Sequence, residues 1–161
     1  MKKAKSGLSP MDCALHYLTA RDRSEYEMRE YLDGQQFGEA DVEQTIERLR
    51  ELKLIDDAAF AEKFVQSRLA TKPISRSRLW RQLIEHHIEE SIVRETLDAM
   101  PDDAEQSNAR TIAEKYCRQF SKLEPQLRRQ RVLSRLQARG FAYDTSIQAF
   151  DAVEAAEEET E

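Results

Sequence analysis

One five-position apolar ladder occurs three times along this chain of 161 residues. Met28, Leu32, Phe37, Ile46 and Leu49 recur as Leu79, Leu83, Ile88, Leu97 and Met100, and again as Val132, Leu136, Phe141, Phe150 and Val153. The offset is 51 residues from Leu32 to Leu83 and 53 from Leu83 to Leu136. A period of this length, without strand-like alternation, marks a supersecondary unit copied along an array. Helical spacing alone explains why apolar residues recur within a helix. It does not explain why the same gap separates Leu32 from Phe37, Leu83 from Ile88 and Leu136 from Phe141. That gap implies a shared turn. Arrays of helical units usually present long surfaces to long partners and seldom enclose a small-molecule pocket. The chain therefore reads as a binder: all-α, an elongated array of three tandem three-helix repeats. A compact domain of this length has a radius of gyration of roughly 15 Å, which a stacked array should exceed in solution scattering.

Local signals place the helices. Ser9-Pro10 starts the first, Ser24-Glu25-Tyr26-Glu27 is a capping box for the second, which should end near Gly34, and Val42, Ile46 and Leu49 carry a third toward Lys53. In the second copy Asp57 is the expected N-cap, Phe60, Phe64, Val65 and Leu69 face one side, Pro73 marks a break and Ser75 caps the next helix. In the third, Ile112, Ala113, Tyr116, Cys117 and Phe120 open the unit, a basic helix stops at Gly140, and Asp144 caps the last helix. The expected boundaries are a disordered basic N-terminus over 1–8, repeats over 9–54, 55–101 and 102–153, and a disordered acidic tail over 154–161.

The net charge of −6 conceals a polarised molecule. Acids dominate from Leu15 to Asp57. From Lys115 to Arg139 the balance inverts: Lys115, Arg118, Lys122, Arg128, Arg129, Arg131, Arg135 and Arg139 face only Glu124. A second basic run, Arg68, Lys72, Arg76, Arg78 and Arg81, falls in the middle copy. On a helix Arg128, Arg131 and Arg135 share a face, and such a row gives salt-dependent binding to nucleic acid or to an acidic protein surface. The bland alternative is a solvated outer face, and the acidic tail is a surface of opposite sign within the same chain. Trp80, next to Leu79, is expected to pack in a seam between repeats rather than to stack on a base.

Catalytic chemistry finds little support. His86 and His87 are adjacent on a helix, so their side chains diverge by about 100 degrees and do not share one metal. Asp56-Asp57 could hold a divalent cation, but helix capping accounts for the pair more simply. No glycine-rich phosphate loop, nucleophile elbow or HExxH motif occurs. Neither a metal nor a cofactor is expected, and the chain reads as a non-enzyme. No run approaches the roughly 18 apolar residues of a membrane helix. Cys13 and Cys117 form no disulfide framework, and the expected location is cytoplasmic.

The residues also resemble a known family. Arg23-Ser24-Glu25-Tyr26-Glu27-Met28, with Leu32 after it, is similar to the opening R-S-x-x-E-L element of the RecX regulatory proteins. Leu54-Ile55-Asp56-Asp57-Ala58-Ala59-Phe60-Ala61 resembles their L-I-D-D-x-x-F-A signature, followed by Phe64-Val65 and Arg68-Leu69. Arg139-Gly140-Phe141 and Tyr143-Asp144 resemble their closing R-G-F-x-Y-D. The chain departs from the pattern at Thr71–Arg76, where a K-G-x-G-P-like link is common, at Trp80, where a basic residue is usual, and at Lys53 and His87, where glycine is usual.

The resemblance implies tandem three-helix repeats and a modulator, usually an inhibitor, of the RecA recombinase, in DNA repair, recombination and the SOS response. Such a protein binds RecA–DNA filaments along their groove and limits filament growth, ATP hydrolysis and strand exchange. The expected filament-binding residues are Arg68, Lys72, Arg76, Arg78, Arg81, Arg128, Arg129, Arg131, Arg135 and Arg139, on a monomer that touches no membrane and contacts DNA through its basic faces. The alternative is a helical nucleic-acid-binding module acting without RecA. A weaker one is a metal-dependent hydrolase using Asp56 and Asp57.

Overall fold

The computed structural model describes residues 7–101 and 103–160. Most of the expected disordered basic N-terminus, with Lys2, Lys3 and Lys5, therefore lies outside the described residues. Among the described residues nine helices follow one another without a strand: α1 Pro10–Leu18, α2 Glu25–Gly34, α3 Glu39–Glu51, α4 Asp57–Thr71, α5 Arg76–Glu85, α6 Glu90–Asp98, α7 Ala104–Gln119, α8 Pro125–Ala138 and α9 Tyr143–Glu158. This is an all-α helical repeat fold. All fifteen ladder positions are buried, from Met28 at 0% exposure to Phe37 at 9%. Burying a side chain of this kind is worth about 1.5–3 kcal/mol, so the ladder is the main apolar investment of each copy.

The constant gap in the ladder has a backbone cause. Gln36, His87 and Gly140, each one residue before the third rung, all have positive φ, at 66°, 56° and 92°. A left-handed residue just past a helix turns the chain back so that the next amide reaches a free carbonyl of the last turn. The Ile88 amide bonds to the Leu83 carbonyl at 3.2 Å, and the Phe141 amide bonds to that of Leu136 at 3.2 Å. The rung after the turn thereby folds onto the helix that precedes it, and five residues is the distance this reversal spans. Lys53 (φ 54°) repeats the device at the end of α3, with the Leu54 amide on the Leu49 carbonyl at 2.9 Å. Lys53 and His87 thus hold a conformation that glycine would adopt without steric cost.

Helix starts follow the expected signals at three places and depart from them at two. Ser9 Oγ accepts the Asp12 amide at 3.1 Å. Ser24 Oγ accepts the Glu27 amide at 3.2 Å while Glu27 Oε2 accepts the Ser24 amide at 3.1 Å. Ser75 Oγ accepts the Arg78 amide at 3.2 Å. Asp57 does not cap α4. That role falls to Asp56, whose Oδ1 accepts the Ala59 amide at 3.0 Å, three residues on. Asp57 instead accepts the amide of Glu25 at 2.9 Å and so caps the start of α2 from 32 residues away. Asp144 does not cap α9 either: Ala142 precedes that helix, and Asp144 lies in its first turn, favourably placed for the helix dipole.

The expected disordered tail is also corrected. α9 continues to Glu158, because Glu154, Ala155, Ala156 and Glu157 are good helix formers and Arg128 holds Glu157 in a two-pronged ion pair.

Compactness divides the chain differently from repetition. The first unit comprises the chain up to Phe64 together with Leu83–Val93; the second comprises Val65–Gln82 and the residues from Arg94 onward. The middle repeat contributes to both. In the first unit α1, α2 and α3 pack mutually around Cys13, Met28, Leu32, Val42, Ile46 and Leu49. In the second, α7, α8 and α9 enclose Ile112, Cys117, Val132, Leu136, Phe141 and Phe150.

Candidate functional site

α8 carries the longest expected row of arginines, and its packing splits that row. Val132, Leu133 and Leu136 turn inward and are buried. Arg128 follows them partway. Its side chain is 16% exposed, and one guanidinium nitrogen donates to both carboxylate oxygens of Glu157 at 2.9 and 2.7 Å. Arg129 bonds to Asp151 at 2.8 Å and lies over the Phe150 ring at 5.2 Å. Two of the expected contact residues are therefore neutralised by α9. Arg131 and Arg135 are exposed, and among the described residues neither forms an ion pair. The neighbouring Cys117 is buried, and burial pushes its thiol up to about 11, so it is inert at neutral pH.

The other basic run is split in the same way. Arg76 is half-buried, 3.6 Å from Glu105, and donates to the carbonyls of Met100 and Pro101 at 3.4 and 3.3 Å. It holds structure together. Arg68, Lys72, Arg78 and Arg81 are exposed. Three of these four, Arg68, Lys72 and Arg78, line a cleft of about 250 Å³ together with Arg139, Thr71, Pro73, Ile74 and Gln82. Among the described residues no acidic side chain lines it. Arg81 stands outside the cleft, and Trp80 is half-buried.

Arg139 reaches the cleft because its own position is tightly determined. Its carbonyl accepts Ser75 Oγ at 2.8 Å, and its guanidinium donates to the Tyr116 hydroxyl at 3.2 and 3.3 Å. That contact holds the Tyr116 phenol below its ordinary pKa. Next to it, a Cβ on Gly140 would lie 2.7 Å from Ser75 Oγ and 2.8 Å from Ser77 Oγ, so only glycine fits there. The sequence offers no local sign of this convergence, since Arg139 lies over sixty residues from Lys72 and Arg78. The one available hint is the pair of small residues, Ser75 and Ser77, that leave room for a close backbone approach.

The first unit has a different polar character. Glu27 joins its capping box to Arg21 at 2.9 Å and to His86 Nδ1 at 2.9 Å. Burial alone would raise its carboxyl, but hydrogen bonds from Arg21, His86 and the Ser24 amide outweigh burial and hold it at about 2. His87 stacks on Tyr26 with ring centroids 3.7 Å apart. Both histidines and the Asp56–Asp57 pair thus have structural partners. Among the described residues no three His, Cys, Asp or Glu side chains gather as metal ligands, and no helix is long and apolar enough to cross a membrane.

Comparison with known proteins agrees with this architecture. Models of the first, second and third three-helix domains of RecX match residues 11–49, 56–97 and 103–150. A regulatory protein RecX from Halalkalibacterium halodurans is 31% identical over 92% of this chain and 56% of its own length. One from Chlorobium phaeobacteroides is 41% identical over 53% of this chain and 57% of its own. The chain spans about half the length of these curated relatives. The crystal structure of RecX from Lactobacillus salivarius superposes with a TM-score of 0.85, at 23% identity over 91% of this chain and 95% of that one, which establishes a shared fold. A second crystal structure, of a regulatory protein RecX, gives 0.78 at 25% identity, over 88% of this chain and 70% of that one. With three matched domains in order and the ladder at each, this chain belongs to the RecX family of regulatory proteins.

Proposed function

We propose that this protein is a non-enzymatic, negative regulator of the RecA recombinase. It binds RecA–DNA filaments in the cytoplasm as a monomer and limits filament growth, ATP hydrolysis and strand exchange. The observation that carries the reading is the set of exposed cations in the second unit, Lys72, Arg78, Arg81, Arg131 and Arg135, that form no ion pair among the described residues, on a chain of the RecX family. Arg76, Arg128 and Arg129 hold internal pairs. The contacts with the filament are assigned to Lys72, Arg78, Arg81, Arg131, Arg135 and Arg139.

Regulation of this kind requires no catalytic group. A ligand shifts an equilibrium by its differential affinity for the two states, so tighter binding to a filament state that grows or hydrolyses slowly is sufficient. The test is RecA ATP hydrolysis on single-stranded DNA while this protein is titrated from substoichiometric to equal amounts. Inhibition supports the reading. No effect with folded protein overturns it and favours a module that binds nucleic acid without RecA.

A further inference from the structure

We propose that the acidic end of α9 is an autoinhibitory latch on α8: Glu157 occupies Arg128, and phosphates of the DNA strand in a filament must displace it before Arg128 joins Arg131 and Arg135. The inference rests on the regulatory reading above for the identity of the filament. It adds a control on the grip of α8 that the pairing of Arg128 otherwise hides.

The backbone sets Arg128 on the same side of α8 as its exposed neighbours. Seven residues at about 100° each leave the Cα–Cβ directions of Arg128 and Arg135 about 20° apart, across about 10 Å of helix. Arg131 and Arg135 are exposed, whereas the Arg128 side chain, bonded to Glu157, is 16% exposed. What removes Arg128 from the row is therefore a partner and not its place in the helix.

That partner is weakly held. Val153 is the last buried residue of α9, and Ala155, Glu157 and Glu158 beyond it are exposed. The last turn carries no basic residue, and its glutamates lie against the negative end of the helix dipole. A turn with so few buried contacts opens locally at small cost. Arg76 makes the contrast. Its partner Glu105 is 21% exposed against 45% for Glu157, and it also donates to the carbonyls of Met100 and Pro101. In the Arg128 pair one guanidinium nitrogen serves both carboxylate oxygens, where a full fork uses two.

The acid present also exceeds what one cation needs. Glu154, Glu157 and Glu158 line a hollow of about 200 Å³ with Arg128. The three carboxylates repel one another and repel an approaching polyanion. Beside the pair, an open groove of about 730 Å³, bordered by Arg118, Arg128 and Glu157, gives room for an exchange of anions. One carboxylate engages one guanidinium, whereas successive phosphates along a strand meet several cations at once. A strand already held at Arg131 and Arg135 therefore faces Arg128 at a high effective concentration and competes with Glu157.

The test compares the full chain with Glu157→Gln, Arg128→Gln and the double variant, by fluorescence anisotropy across a salt series. The probes are labelled oligothymidylate, bare and coated with RecA. Glu157→Gln should tighten binding to both by about two- to fivefold at low salt, the scale of one exposed ion pair. It should steepen the log–log salt slope on the bare strand by about 0.7, the share of one phosphate contact. In the Arg128→Gln background the same change should add nothing. Circular dichroism checks that α9 stays folded. Hydrogen exchange of the unmodified protein needs no variant: amides of 154–158 should lose protection when the bare strand binds. Unchanged or stronger protection there would overturn the proposal, as would unchanged or weaker binding by folded Glu157→Gln. So would a gain that persists without Arg128, which would report net charge alone. Tightening on RecA-coated strands but not on bare ones would overturn phosphate as the displacing group and put an acidic protein surface in its place. Tightening on bare strands, with no inhibition of RecA hydrolysis by either protein, would sink the regulatory reading and leave the latch standing. Inhibition by the unmodified protein, with binding that ignores Glu157→Gln, would do the reverse.

Discussion

The two compact units use the same ladder and the same turn, but they dispose of their arginines in opposite ways. In the first, Arg21 pairs with Glu27, Arg29 with Glu25 and Glu43, Arg48 with Glu51 and Arg50 with Glu25. Arg23 lies over the Tyr17 ring at 3.9 Å. Glu25, set between Arg50 and Arg29, is held below the ordinary carboxylate range by both. In the second unit Lys72, Arg78, Arg81 and Arg131 form no ion pair among the described residues, and Lys72 and Arg78 line one cleft with Arg139. Exposed ion pairs contribute only about 0–1 kcal/mol each, so the pairing in the first unit does little for stability. Its consequence is that Arg21, Arg29, Arg48 and Arg50 all carry a counter-charge supplied by the unit itself. The difference shows that a count of charges along a sequence does not reveal an interface; what matters is which charges the fold leaves without a partner.

If the units differ in surface and not in core, large apolar truncations should cost the same in both. Leu32→Ala in the first unit and Leu136→Ala in the second, both at 0% exposure, should each destabilise by about 2–5 kcal/mol in urea unfolding. A pronounced inequality would show that one core is looser. The shared turn gives a second contrast. Gly140→Ala should cost about 2 kcal/mol or more, since it combines a positive φ with contacts of 2.7 and 2.8 Å to two serines. A melting temperature unchanged by that substitution would remove the close approach from the account.

Glu27 supplies a pH signature peculiar to the first unit. Its folded pKa of about 2 lies below the ordinary value of 4.5, so its stabilisation is complete above pH 4.5 and is lost as pH falls toward 2. Glu27→Gln retains the capping geometry and loses the charge. It should cost about 1–2 kcal/mol at neutral pH and flatten that acid limb. An unaltered limb in stability measured against pH would assign it to other carboxylates. The smallest effect belongs to Gln36→Gly, which should stabilise by about 0.5–1 kcal/mol because glycine accepts a φ of 66° without strain. Destabilisation would mean that the Gln36 side chain makes a contact of its own.

Much of the fold was legible because it is local or repeated. The ladder, the capping box at Ser24 and the Ser9 and Ser75 caps depend on residues three to five apart. The Asp57 contact with Glu25 was not, since two adjacent aspartates are equivalent as local caps and only tertiary placement tells which one reaches across. The acidic tail misled for a related reason. Read alone, Glu154 to Glu158 lack an apolar anchor, yet Arg128 supplies an electrostatic one from 29 residues away. The basic residues were correctly found as charges but not as a site. Helical spacing put Arg128, Arg131 and Arg135 on one face, whereas burial beside α9 separates Arg128 from the other two. Arg139 joins Lys72 and Arg78 only through the folded unit.

The central claim, that the exposed cations of the second unit which form no ion pair among the described residues engage the RecA filament, is tested most directly by charge reversal in the two units side by side. Inhibition of RecA ATP hydrolysis would be titrated with the unmodified protein, with Arg131→Glu plus Arg135→Glu, and with Arg48→Glu from the first unit. The account predicts that the double reversal raises the half-inhibitory concentration at least about tenfold, as expected when several favourable contacts become repulsive, while Arg48→Glu inhibits as the unmodified protein does. Equal inhibition by all three folded proteins would contradict it.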